Sequence, residues 1–428
     1  MADMYYPAPP SAPAHGKDGG HPVKPKPSSS PVVTLKRGHV RPVWSGHPWV
    51  FAQAIDHITG GATAGDEVEV QDPNGNVLGR GLYTPRSAIP VRLFTRDPAA
   101  RIDGALIRKR IERALAHRRE IGLPNKATGH ETDAFRLVHA EGDGLPGLIV
   151  DVFADVVSVQ LGTIGMKRRE GLVFDALAQL LSPRAIVDRT PAAMAKLEGF
   201  EPGEGVVRGD TTLEVLRFSE RGLRFAVPLT LGQKTGFYFD QRPLRARVEQ
   251  LAHGRRVLDA YAFVGAFAMA AARGGAREVV SVDESPAAIA AAADCARESG
   301  LSERISFVRG DAKRHLEQAA RNGFDLVICD PPKLAPTRSN KETALRGYRS
   351  LAAAACRATV PGGILVLCSC SSAVSIDDLT RALALGARES RMEATVFERQ
   401  FQGGDHPVPA AFGEGLYLKS VIARVEAL

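Results

Sequence analysis

The sequence predicts an α/β protein in which a Rossmann-like domain follows a small β-barrel and a small α+β domain. Three observations carry this. From residue 222 onward, short apolar runs alternate with helical stretches, the pattern of a parallel sheet covered on both faces. Between residues 32 and 96 the runs are shorter, alternate in polarity and are separated by turns. A chain of 428 residues is also too long for one ordinary core. The predicted segments are 1–30, a disordered tail; 31–98, the barrel; 99–218, a linker helix and the α+β domain; and 219–428, the α/β domain.

The tail is rich in Pro, Ala, Ser, Gly and His and has almost no apolar periodicity. In the barrel segment, Glu67-Val68-Glu69-Val70 and the run from Val77 to Tyr83 flank Asn74-Gly75, a strong hairpin signal. This segment also carries Lys36, Arg37, His39, Arg41, Trp44, His47 and Trp49, a basic and aromatic set. Residues 102–121 read as one helix, with Ile107, Ile111 and Leu115 at helical spacing. Its other face, with Arg108, Lys109, Arg110, Arg113 and Arg119, is either a solvated face or a row of phosphate contacts. Residues 148–152 and 156–160 read as paired strands, and 167–181 as a helix.

Composition narrows the function. No stretch is long and apolar enough to span a membrane, and the N-terminus shows no secretory h-region. The five cysteines all fall in the last third, without framework spacing, which points to a reducing, cytoplasmic setting. Cys368-Ser369-Cys370 is too tight for a zinc pair, so no metal is expected. The net charge of +7 suits a polyanionic partner, or reflects plain arginine usage.

The chemistry lies at the strand ends of the last domain, where ligands bind in such sheets. The first strand ends at Asp259 and runs through Tyr261 to Gly265 into a helix. The second ends at Asp283, placed to bond both hydroxyls of a ribose. The third is followed by Asp311, a candidate acceptor for an adenine amino group, and the fourth ends in Asp330-Pro331-Pro332-Lys333. Together these outline an adenosine-sized slot. The loop after Asp259 has only Gly265, crowded by Tyr261, Phe263 and Val264, where a dinucleotide site needs several glycines to seat a pyrophosphate. S-adenosylmethionine has no phosphate and tolerates such a loop. For any single one of these acids, the plain alternative is a helix cap.

Asp330-Pro331-Pro332 makes a stiff turn that can hold a carboxylate against a base taken out of its stack. Amino-group methyltransferases place an aromatic after the prolines; this chain has Lys333. The fifth strand runs into Cys368-Ser369-Cys370. Carbon 5 of cytosine becomes nucleophilic only when a thiolate adds to carbon 6, with an acid near ring N3. Cys370 and Asp330, on neighbouring strands, supply that pair, whereas Cys368 and Cys329 read as core.

These stretches resemble the bacterial 23S rRNA 5-methylcytosine methyltransferase family of the large-subunit type. The likeness rests on Gly232-Gln233-Lys234-Thr235-Gly236-Phe237-Tyr238-Phe239-Asp240-Gln241-Arg242, on Asp330-Pro331-Pro332-Lys333 and on Leu367-Cys368-Ser369-Cys370-Ser371. Two further stretches resemble it: residues 136–151, and Asp405-His406-Pro407-Val408. The resemblance implies an RNA-binding PUA domain, a central α+β domain and a class I S-adenosylmethionine-dependent domain acting on 23S ribosomal RNA. It implies Cys370 as nucleophile, Asp283, Asp311 and Asp330 as cofactor acids, and Phe237, Asp240 and Arg242 at the pocket border. Ala266 stands where the family usually has a second glycine, and no Cys follows the prolines, so a second thiol for product release is not expected. The resemblance leaves a homodimer open. The competing readings are methylation of another base, such as guanine N7, and an RNA-binding assembly factor without turnover.

Overall fold

The structure, a computed structural model, describes residues 30–203, 205–231, 235–319, 323–334 and 340–428. All of the expected tail but Ser30 lies outside the described residues, as do Gly232, Gln233 and Lys234.

The first unit is one six-stranded sheet: β1 (Val32–Leu35), β2 (Trp49–Val50), β3 (Ile55–Thr59), β4 (Glu67–Gln71), β5 (Val77–Tyr83) and β6 (Val91–Thr95), in the order β2-β6-β5-β4-β1-β3. The expected barrel is therefore a half-barrel. The β4–β5 turn forms where expected: Asp72 accepts from the backbone N–H of Asn74 and Asn76, and Gly75 takes a φ of 86°.

The linker helix, Gly104–Glu120, starts at Asp103, whose side chain accepts from Leu106 N. It packs with the helix Glu170–Leu181 against a five-stranded sheet. This sheet holds β7 (Ala134–His139), β8 (Leu148–Phe153), β9 (Val156–Leu161), β10 (Ala185–Asp188) and β11 (Gly205–Gly209), in the order β11-β10-β9-β8-β7. Two expectations change here. The helix expected over 167–181 is split into Ile164–Lys167 and Glu170–Leu181, and at the break Arg169 donates to the carbonyls of Ile102, Gly65 and Gly165. The basic face of the linker helix is also not uniformly solvated. Arg110 donates to the carbonyls of Gly144 and Phe94, and Arg113 to that of Asp143, while Arg108, Lys109 and Arg119 stay exposed.

A hairpin, β12 (Val215–Glu220) and β13 (Leu223–Pro228), precedes the last sheet. That sheet holds β14 (Arg256–Ala260), β15 (Glu278–Asp283), β16 (Ile305–Arg309), β17 (Phe324–Cys329), β18 (Thr359–Ser369), β19 (Met392–Phe401) and β20 (Lys419–Ala427). Its order is β16-β15-β14-β17-β18-β20-β19. β14 to β18 are parallel, as expected, and β20 and β19 run antiparallel to them. Strand alternation feeds two cores. Val257, Leu326 and Ile328 face the helices Ala266–Arg273 and Pro286–Glu298, whereas Leu258, Val327 and Cys329 face Lys341–Ala358 and Ile376–Glu389. The order reverses between β14 and β17, which opens a crevice at their carboxyl ends.

The segment between β19 and β20 ties the three units together. Phe412 packs on Trp49 at 4.6 Å between ring centroids, and His47 contacts Glu414 at 3.3 Å. Arg118, fully buried and doubly bonded to Asp143, donates to the Asp405 carbonyl at 2.9 Å.

Candidate active site

The crevice is a cleft of about 850 Å³, within the range of cofactor pockets. Of the residues expected at the site, Phe237, Asp240, Tyr261, Asp283, Asp311, Asp330, Pro331 and Cys370 line it together.

The loop after β14 shapes one wall. Tyr261, Phe263 and Gly265 have φ of 67°, 50° and 70°, so two non-glycine residues sit in the left-handed region, which costs on the order of 1 kcal/mol each. What holds the loop there is Asp283, which accepts from Phe263 N at 2.8 Å and, with its other oxygen, from Ser285 N at 2.9 Å. Two N–H bonds fix that carboxylate and leave it lone pairs for ribose hydroxyls. Asp311 caps the helix Ala312–Ala319 through Arg314 N at 2.6 Å and stays exposed at the rim.

The other wall carries Tyr238, Asp240, Asp330 and Cys370. Asp330 follows β17 and accepts from Gln241 Nε2 at 2.8 Å. Asp240 accepts from Tyr417 OH at 2.6 Å. Burial, with Asp330 and Asp240 nearby, pushes the Tyr238 phenol above its ordinary value, so it stays neutral. Cys370, just past β18, is the only one of the five cysteines that is not buried. Burial raises the other four: Cys295 to about 11, Cys356 to about 12, Cys329 and Cys368 higher still. Those are core thiols that stay protonated, as expected for Cys329 and Cys368.

Three expected cofactor residues do not face the cleft. Asp259 is fully buried under the loop and accepts from Ala268 N at 3.0 Å, capping the next helix from behind. Burial, reinforced by Asp330 and Asp283, raises its carboxyl to about 7. Gly265 supplies a backbone conformation and a close approach: a Cβ there would lie 3.2 Å from the Ala292 Cβ. Arg242 is a strut, bonded to Glu220, Asp405 and the Ala134 carbonyl. Conversely, Tyr238, Gln241, Phe263, Tyr417 and Leu418 line the cleft without having been singled out. Gln241 lay inside a stretch already noticed, whereas Tyr417 comes from the loop just before β20 and left no local signal.

The lining fits S-adenosylmethionine. Asp240, Asp283, Glu284, Asp311 and Asp330 outnumber Arg245 and Lys333, which favours a cationic ligand and disfavours a pyrophosphate. Tyr238, Tyr261 and Phe263 offer apolar walls to an adenosine. Among the described residues, no His, Cys, Asp and Glu cluster could hold a metal, and no helix is long and apolar enough to cross a membrane. On the half-barrel, Lys36, Arg37, His39 and Arg41 are exposed beside Trp44, itself 68% exposed.

Residues 33–96 match the PUA-like domain family, and residues 203–406 match the S-adenosylmethionine-dependent methyltransferase family. The chain is 36% identical to ribosomal RNA large subunit methyltransferase I of Shewanella denitrificans, over 92% of this chain and 99% of that protein. It is 33% identical to the enzyme of that name from Klebsiella pneumoniae, over 92% of this chain and 98% of that protein. In fold it is similar to a methyltransferase solved with SAH, with a TM-score of 0.78 and 18% identity over 92% of this chain and 99% of that one.

Proposed function

Since the chain belongs to the family of S-adenosylmethionine-dependent large-subunit ribosomal RNA methyltransferases, we propose that it forms 5-methylcytosine in 23S rRNA, in the cytoplasm, with Cys370 as nucleophile. The observation that carries this is the meeting of Cys370 and Asp330 in the cofactor cleft, while the other four cysteines are buried. S-adenosylmethionine supplies an electrophilic methyl group. The Cys370 thiolate adds to C6 of a cytosine turned out of the RNA, forming an S–C bond and making C5 electron-rich. Asp330, protonated for this step and oriented by Gln241, donates to ring N3 and takes up the charge that addition places there. After C5 has gained the methyl group, its proton passes to water, the thiolate is expelled and N3 returns its proton to Asp330, which restores the aromatic ring. The basic, Trp-bearing face of the half-barrel supports a role in holding the RNA.

The test is the identity of the product nucleoside. 23S rRNA is incubated with labelled S-adenosylmethionine and the wild type, Cys370→Ala or Cys368→Ala, then digested. Label is expected in 5-methylcytidine with the wild type and Cys368→Ala. Cys370→Ala should lose activity by on the order of 10⁴-fold. Label in 7-methylguanosine, or undiminished by Cys370→Ala, would overturn the proposal.

A further inference from the structure

Lys419 is an anomaly in its strand. It opens β20, pairs in register with Ser369 on β18 and is 3% exposed. A buried ammonium is costly unless its donors are met. Here Nζ donates to the carbonyl of Ser371 at 2.8 Å and to that of Val374 at 2.6 Å. Both acceptors belong to the turn directly after Cys370, which is closed by a bond from Val374 N to the same Ser371 carbonyl. The ammonium thus pins the turn that presents the thiol, from the strand next to the one the thiol ends.

The charge matters as much as the bonds. The groups around Cys370 include Tyr238, Tyr348, Cys368 and Asp330, and none of these can favour a thiolate by positive charge. Among the described residues, the cations near this turn include Lys333, exposed on the cleft rim, and Lys419, held inside. Burial draws the Lys419 ammonium down to about 8, opposed by Cys370 and by Asp378, while Lys333 adds to the lowering. Asp378 is engaged elsewhere, by Lys341 at 2.7 Å and by Ser375. At neutral pH Lys419 therefore remains mostly protonated, and the attraction between it and a Cys370 thiolate is mutual.

We propose that Lys419 is a positioning residue for Cys370: its ammonium clasps the Ser371–Val374 turn and keeps a buried positive charge beside the thiol, so that the thiolate is available at neutral pH. This rests on the reading of Cys370 as the nucleophile, but its test does not depend on methylation.

Cys370 is the one cysteine open to a small alkylating reagent, so the rate of its modification by iodoacetamide across pH 6–10 reports its thiolate directly. Intact-mass analysis follows the reaction in wild type, Lys419→Met and Lys419→Arg, each checked for S-adenosylhomocysteine binding. In Lys419→Met the midpoint is expected to rise by about one unit, a roughly tenfold loss of thiolate at pH 7, and Lys419→Arg should restore most of it. An unchanged midpoint in Lys419→Met, or an equal rise in Lys419→Arg, overturns the proposal. If Lys419→Met does not fold, Lys419→Gln makes the same comparison with a polar, uncharged side chain. Because alkylation needs no RNA, a normal shift with no 5-methylcytidine would sink the cytosine reading and leave the role of Lys419 standing.

Discussion

Replacing Asp259 by Asn should remove the pH-dependent part of its contribution to stability. The carboxyl is fully buried, and in the folded protein it holds its proton up to about pH 7, against 3.8 in an ordinary setting. Folded protein therefore binds that proton more tightly than unfolded chain. The stabilisation is complete below about pH 4 and is lost as the pH rises through 7. With a three-unit difference and about 1.4 kcal/mol per unit, the whole span is worth about 4 kcal/mol, of which roughly 2–3 kcal/mol falls between pH 5 and pH 8. Asn has the same shape, can accept from Ala268 N as Asp259 does, and does not titrate. Urea unfolding of the cofactor-free protein, followed by fluorescence at pH 5 and pH 8, gives the comparison. Between those values the wild type should lose roughly 2–3 kcal/mol relative to Asp259→Asn. A gap between the two proteins that is the same at both pH values would refute the reasoning, since it would mean that Asp259 titrates outside this window.

Two further perturbations separate struts from contacts. Arg242→Leu leaves Asp405 and Glu220 with one cation fewer; Arg245 still pairs with Glu220, so a loss of about 3 kcal/mol is expected, at the low end for a broken buried ion pair. At 15 °C its affinity for S-adenosylhomocysteine, read by calorimetry, should match the wild type; lost affinity with unchanged stability would restore Arg242 to the cofactor site. Trp44→Ala should weaken RNA binding about tenfold while leaving the slope of affinity against salt unchanged, because a stacking surface goes and no charge does. Equal affinity in a filter-binding titration would exclude that face from the RNA contact.

Much of this was legible because it is local. Strand ends at Asp283 and Asp330 and the thiol after Leu367 can be read from a few neighbouring residues, since a parallel strand declares itself by an apolar run that ends abruptly. The two antiparallel strands β19 and β20 were not read, because no helix separates them to mark the pattern. Asp259 looked like its fellow acids in sequence, and only burial distinguishes a helix cap from a ligand contact. Arg110 looked like a solvated or phosphate-binding cation and Arg242 like a residue of the pocket border; their partners, Gly144 and Asp405, lie 34 and 163 residues away. Tyr417 and Lys419 reach the site because β20 inserts beside β18, a pairing that local spacing does not encode.

The central claim is that Cys370 bonds to the substrate base during methyl transfer. It is tested most directly by trapping the protein on an rRNA fragment carrying 5-fluorocytosine, in the presence of labelled S-adenosylmethionine. Fluorine at C5 cannot leave as a proton does, so the last elimination is blocked and the adduct persists. The account predicts a denaturation-resistant protein–RNA complex for wild type, with the attachment mapped to Cys370 by peptide mass, and none for Cys370→Ala. The absence of any adduct, with label transferred equally by both proteins to unmodified RNA, would contradict it.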